Sequence, residues 1–250
     1  MRRLLVMGFA LGSMLMAGTV SAFAGEPAFP AEDEVAAGSP APEPVDPRRP
    51  LPGTIALTFD DGPDPKWTPY ILDVLDRLDV VATFFVAGFR VEWYPEIAQD
   101  IVERGHSLQN HSYGHGNLTE LSDSAVRRDV ERGTQVIVDA AGVLPTCMRP
   151  PYGATSSRTT QIIEELGLHV VIWDENSADY AHQSSSVLRS ISHRWEDGES
   201  VLMHDIYGFL YDEGVLEDLV AEVRSRDLGF SVICENIRQP SVFSFKSLVR

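Results

Sequence analysis

From Thr54 onward the chain alternates short apolar runs with amphipathic stretches, and this restricts its fold more than any other feature. Thr54–Phe59, Ala82–Ala87, Ser107–Asn110, Pro145–Arg149, His169–Trp173, Ser200–Met203 and Ser231–Cys234 read as strands. Between them, Tyr70–Leu78, Tyr94–Arg104, Asp123–Ala141, Thr159–Leu166, Val187–Trp195 and Val215–Arg226 carry apolar side chains at helical spacing. In the first of these, Ile71, Leu72, Leu75 and Leu78 share one face. Strands joined by helices of this length form a parallel sheet covered by helices. About seven units of this kind predict an α/β fold, an irregular (β/α) barrel with its active site at the C-terminal ends of the strands.

The segments before Thr54 have another character. Met1-Arg2-Arg3 gives a positive start, Leu4 to Met16 an apolar run, and Ala22-Phe23-Ala24 a small-x-small site. Residues 1–24 therefore read as a cleavable signal peptide that sends the protein to the periplasm or the exterior. The run is short for a span of about 20 residues, so no membrane insertion is expected after cleavage. Residues 25–50 hold seven prolines among Ala, Glu and Gly and read as a linker. The catalytic domain is expected over 51–240, with a tail at 241–250. With 37 acidic and 20 basic residues the net charge is −17. That balance argues against nucleic acid, whose phosphates need a basic face, and against anionic membrane surfaces. Neutral polymers, small molecules and cations remain as partners, and a monomer is expected.

Polar residues gather where the barrel places its chemistry. Asp60 and Asp61 end the first strand, His111 follows the third, Arg149 ends the fourth, Asp174 follows the fifth, and His204-Asp205 end the sixth. His111 and His115 stand four apart, so on one helical turn they would share a face and hold one ion. Two histidines, one carboxylate from Asp60 or Asp61 and an open position make a catalytic site for a divalent ion. A dication would also let one aspartate ligate while the other stays ionised as a base. The Gly62-Pro63 pair turns the chain sharply after them.

Five strings now carry a family resemblance. Thr58-Phe-Asp-Asp-Gly-Pro63, Ala82-Thr-Phe-Phe-Val86, His111-Ser-Tyr-Gly-His115, Arg149-Pro-Pro-Tyr-Gly153 and Leu202-Met-His-Asp205 resemble the successive motifs of the polysaccharide deacetylases. These are the carbohydrate esterases of family 4, with the NodB homology domain. The resemblance runs from about Thr54 to Ile233 in the family's order. It implies that Asp60 is the catalytic base, that Asp61, His111 and His115 bind one divalent ion, and that Arg149 holds Asp60 with a bidentate guanidinium. Zinc is the first expectation, with cobalt, nickel or manganese as alternatives. It further implies that the Tyr152 backbone N–H stabilises the oxyanion, that His204 is the general acid tuned by Asp179, and that Leu202 walls the acetyl pocket. The string Trp173-Asp-Glu-Asn-Ser-Ala-Asp-Tyr180 matches the fourth motif with two departures, Asn176 for aspartate and Tyr180 for a tryptophan beside the acetyl pocket. Gln109 stands where the family often has glycine. None of these removes a reacting group.

The implied function is a secreted hydrolase that removes N-acetyl groups from an acetylated polysaccharide or oligosaccharide of the chitin or peptidoglycan type. O-deacetylation, as of acetylated xylan, and a non-catalytic carbohydrate-binding module are the alternatives. His106, His169, His182 and His193 match no motif and are expected to be structural or solvated. Among the tryptophans, Trp67 is expected at the rim and Trp173 in the core. Cys147 and Cys234 could form one disulfide in an exported protein, although they fall in expected strands well apart in the sheet, where bridging geometry is not obvious.

Overall fold

In the computed structural model, which describes residues 45–181, 185–207 and 214–239, the expected parallel sheet forms around one central strand. β1 (Thr54–Asp60) is flanked on one side by β8 (Ser200–His204) and on the other by β2 (Thr83–Val86). From β2 the sheet continues through β3 (Ser107–Asn110), β5 (Cys147–Met148) and β6 (His169–Val170), and beyond β8 it adds β7 (Glu175–Asn176). Every pairing in this sheet is parallel. It curls into an open barrel, with β6 and β7 as the unpaired ends of the strand order.

Strand alternation sorts the core into two parts. Ile55, Leu57 and Phe59 of β1 point outward with Phe84, Val86 and Leu108, and pack under the helices α1 (Trp67–Leu78), α3 (Pro95–Glu103), α4 (Asp123–Ala141) and α7 (Val215–Arg224). Ala56 and Phe85 point inward and meet Cys147, Val171, Ile233 and Cys234 in a second buried cluster. Above that inner cluster stand Thr58, Asp60 and Arg149, all buried. The buried charged pair, Asp60 and Arg149, thus stands at the C-terminal end of the strands.

Several expected boundaries shift. The expected strand Pro145–Arg149 shortens to β5 and is preceded by β4 (Val143–Leu144), paired antiparallel with β10 (Ile237–Arg238). Strand structure stops at Val170, and α2 (Gly88–Trp93) precedes α3. The last strand of the parallel sheet lies earlier than the expected Ser231–Cys234, at β9 (Gly229–Phe230) beside the start of β1. Residues 231–236 then run under the barrel instead of joining the sheet. Ile233 N–H donates to Thr83 Oγ1 at 3.0 Å, Ser107 Oγ to the Cys234 carbonyl at 2.6 Å, and Leu108 N–H to Asn236 Oδ1 at 2.7 Å.

That path supplies the geometry that the strand positions of the two cysteines did not suggest. Cys147 and Cys234 are joined in a disulfide, with Cα atoms 5.8 Å apart, because Cys234 crosses beneath the strands and reaches the start of β5. The bridge ties positions 87 residues apart; in the chain-entropy account a loop of that length stabilises the fold by about 4–5 kcal/mol.

The folded region also begins before residue 51. Cys234 N–H donates to the Pro47 carbonyl and Arg49 pairs with Asp174, so residues 45–50 belong to the fold. The expected signal peptide, the rest of the linker, His182 and the C-terminal tail lie outside the described residues. No helix among the described residues is long and apolar enough to cross a membrane.

Candidate active site

Parallel pairing places Asp60, the last residue of β1, beside His204, the last residue of β8. Asp60 is 2% exposed. A carboxylate so deeply buried needs a partner, and Arg149 Nη1 donates to Asp60 Oδ1 at 2.7 Å and to Thr58 Oγ1 at 2.7 Å. The contact is therefore through one nitrogen, not the bidentate fork expected. The guanidinium carbon lies 4.1 Å from the centre of the Phe85 ring. Thr58 supports the arrangement from below by donating to the Val201 carbonyl at 2.7 Å.

Asp61, at φ 76°, is turned away from its neighbour and faces the histidines. Its Oδ1 lies 3.3 Å from His111 Nε2 and 2.8 Å from His115 Nε2. Burial raises the Asp61 pKa, but bonds to His111 and His115 outweigh this and hold it well below the usual carboxylate range. His111 Nδ1 sits 2.6 Å from the Arg149 carbonyl, which can only accept, so Nδ1 carries a proton and Nε2 is the ring atom left to face Asp61 or an ion. One ligand atom from each of Asp61, His111 and His115 lies within 4.8 Å of the others. An oxygen and two imidazole nitrogens converging in this way fit a divalent ion, zinc included. The two histidines share no helical turn, however. Ser112 and His115 have positive φ (66° and 55°), so the ligands sit on a tight loop, closed by His115 N–H donating to Ser112 Oγ at 2.8 Å.

Across the cleft, His204 is held by Asp179, which is fully buried. Burial alone would lower the His204 pKa. The Asp179 bond and charge, with the charges of Asp60 and Asp61, reverse that and raise it to about 8. Asp205 has a different task. It is buried against the turn after Asp61, where Thr68 Oγ1 donates to its Oδ2 at 2.5 Å. Only glycine fits beside it, since a Cβ at residue 62 would come within 2.0 Å of Asp205 Oδ2. Burial pushes the Asp205 carboxyl up to about 7, against the lowering effect of the Thr68 bond.

These groups open onto one cleft of about 370 Å³, within the range of small-ligand sites. Asp60, Asp61, His111, His115 and His204 line it, together with Tyr152, Tyr180 and Leu202, so the expected residues come together. Arg149 and Asp179 stand directly behind Asp60 and His204. Tyr152 has φ 62°, part of the turn Pro151–Gly153, and its ring packs edge-on against His115.

Three expectations are corrected here. Trp173 lines the cleft and is not core. Trp67 packs partly buried against the outer core under Lys66, and is not among the cleft residues. Asp174 is not on the catalytic rim: it accepts from Ser200 N–H at 2.8 Å, at the start of β8, because the chain has already turned to begin β7. Gln109 lies away from the chemistry as well, accepting from Thr146 N–H and Cys147 N–H at 2.9 Å and so joining β3 to β5. Sequence reasoning missed Tyr207, whose ring centre is 5.5 Å from that of His204 and which lines the cleft. Its place three residues beyond a strand-end histidine was the available signal.

A sequence profile described as polysaccharide deacetylase matches residues 48–171. The peptidoglycan N-acetylglucosamine deacetylase PgdA of Listeria monocytogenes is 39% identical over 154 residues, 61% of this chain and 32% of that protein. The chain thus aligns with about a third of that relative's length. The chitooligosaccharide deacetylase of a Bradyrhizobium species is 37% identical over 160 residues, 62% of this chain and 71% of that protein. A family 4 carbohydrate esterase from Streptomyces lividans, solved with acetate, superposes with a TM-score of 0.70 at 29% identity, over 76% of this chain and 98% of that one. The chain belongs to the polysaccharide deacetylase family.

Proposed function

We propose that this protein is an exported, metal-dependent hydrolase that removes N-acetyl groups from amino-sugar polymers or oligomers of the peptidoglycan or chitin type. One observation carries the reading: a buried, arginine-held carboxylate, a two-histidine and carboxylate ligand set and an aspartate-held imidazole all face a single cleft. The names of the relatives, peptidoglycan N-acetylglucosamine deacetylase and chitooligosaccharide deacetylase, support an N-acetylated sugar as substrate.

A divalent ion held by Asp61, His111 and His115 would supply Lewis acidity. The remaining chemistry belongs to this chain's own groups. Arg149 engages Asp60 through Oδ1, which leaves Oδ2, 3.8 Å from His111 Nε2, to accept a proton from the attacking water as its oxygen bonds to the acetyl carbon. The backbone N–H of Tyr152 donates to the oxyanion that forms. His204, bound to Asp179 through Nδ1, gives the proton on Nε2 to the nitrogen as the C–N bond breaks, releasing acetate and a free amine. Leu202 and Tyr180 border the space for the acetyl methyl and the sugar.

Acetate release tests this directly. Purified protein lacking residues 1–24 should release acetate from N-acetylglucosamine oligomers or peptidoglycan. Acetate from acetylated xylan alone would move the assignment to an O-deacetylase. Binding to a polysaccharide without release from any substrate would make it a binding module.

A further inference from the structure

The ligand loop between β3 and α4 holds a backbone that residues other than glycine keep only when their surroundings over-determine it. Part of that constraint comes from β3. Asn110 Oδ1 accepts from Ser112 N–H at 2.7 Å, while Asn110 Nδ2 donates to the Val130 carbonyl at 3.0 Å and to Thr134 Oγ1 at 2.9 Å on α4. The next two amides turn to α4 as well. Tyr113 N–H donates to Asp129 Oδ1 at 2.9 Å and Gly114 N–H to Asp129 Oδ2 at 3.1 Å. Two successive amides aimed at one anion form a nest, here filled by the protein's own carboxylate. The fit is close, since a Cβ at residue 114 would lie 3.2 Å from Asp129 Oδ2. Asp129 is not among the residues lining the cleft.

We infer that Asp129 is a positioning residue for the metal ligand His115. By fixing Tyr113 and Gly114 it sets where the loop delivers His115, whose Nε2 stands 2.8 Å from Asp61 Oδ1. This rests on the reading of Asp61, His111 and His115 as the metal site.

The test is a zinc titration of metal-free protein against a chelating indicator, with thermal unfolding of the same metal-free samples. Asp129→Asn keeps the shape but sets an NH₂ group against one of the two amide donors. It should bind zinc about 10–100-fold more weakly than wild type, the usual effect of losing a group behind a metal ligand, while unfolding at the wild-type temperature. Asp129→Glu, which restores two acceptor oxygens, should recover part of that affinity. Asp139→Asn, an exposed α4 carboxylate that accepts from Gln135, should bind zinc like wild type. Zinc affinity of Asp129→Asn within twofold of wild type overturns the inference, whether or not its unfolding temperature has fallen. Should Asp129→Asn fail to fold, Gly114→Ala provides the same reading by displacing the carboxylate, and an unchanged affinity there also overturns it. A wild-type protein that takes up no zinc overturns the site reading and this inference with it.

Discussion

Asp179 grips His204 at two points: its Oδ1 lies 2.6 Å from the imidazole Nδ1, and its Oδ2 accepts from the His204 backbone N–H at 2.6 Å. The first contact stabilises the imidazolium and the second fixes the carboxylate. Together they counter the burial that would otherwise discharge the ring. A general acid works only when protonated, so the alkaline limb of the rate profile reports the loss of this proton. With Asp179→Asn the anion is gone, the imidazolium is less stable and its pKa falls. The limb should move to lower pH by at least half a unit or so, equivalent to about 0.7 kcal/mol, with metal content unchanged. A limb that stays in place in Asp179→Asn and vanishes in His204→Ala would assign the tuning to another group.

Asp60→Asn separates base from ligand. Arg149 reaches Asp60, while the contacts of 2.8 and 3.3 Å to the two histidines belong to Asp61. The variant should therefore retain stoichiometric metal and lose turnover by roughly 10²–10⁴-fold, the range for removing a proton acceptor. Metal analysis and acetate release on one sample check this. Loss of metal from Asp60→Asn but not from Asp61→Asn would reverse the two roles.

Gly62→Ala should destabilise the fold. The new methyl would overlap the Asp205 carboxylate, which is buried and already bound to Thr68. Overpacking of this kind costs about 1–3 kcal/mol, visible as a lower midpoint in urea unfolding. Turnover should fall too, because Asp61 is adjacent to the displaced turn. A wild-type midpoint would contradict the packing described.

The alternation of apolar runs made the parallel sheet and its rim legible, because three of the runs lead directly into residues that the fold brings to the cleft: Asp60, Arg149 and His204. What stayed hidden depends on distances no sequence period encodes. The crossing of residues 231–236 under the barrel brings Cys234 to Cys147, a contact across the interior and not along the sheet. The early turn after Val170 carries Asp174 to the start of β8 and turns Trp173 into the cleft. His-x-x-x-His spacing suits a helix, yet Ser112 and His115 adopt left-handed conformations, and the hydrogen bond that Asn110 Oδ1 accepts from Ser112 N–H helps hold the loop in that shape.

His106 predicts the acid behaviour of the fold. It is 4% exposed, its Nδ1 accepts from Ala82 N–H at 3.2 Å, and burial lowers its pKa from 6.5 to about 4. A histidine depressed in the native state contributes stability that is fully present above the unfolded pKa of about 6.5 and is lost as pH falls toward 4. The loss amounts to about 3 kcal/mol at 1.36 kcal/mol per unit. Urea unfolding between pH 7 and 4 should show this slope in wild type and a shallower one in His106→Gln, whose amide cannot take up the proton. Equal slopes would remove His106 from the account.

The proposed function requires that Asp61, His111 and His115 hold the ion on which deacetylation depends. Its most direct measurement is the ratio of zinc to protein in wild type and His111→Ala, taken with acetate release from N-acetylglucosamine oligomers. One zinc per wild-type chain with acetate released is expected, and neither zinc nor acetate from His111→Ala. Stoichiometric zinc retained by His111→Ala, or full turnover by a wild-type protein stripped of metal, would contradict it.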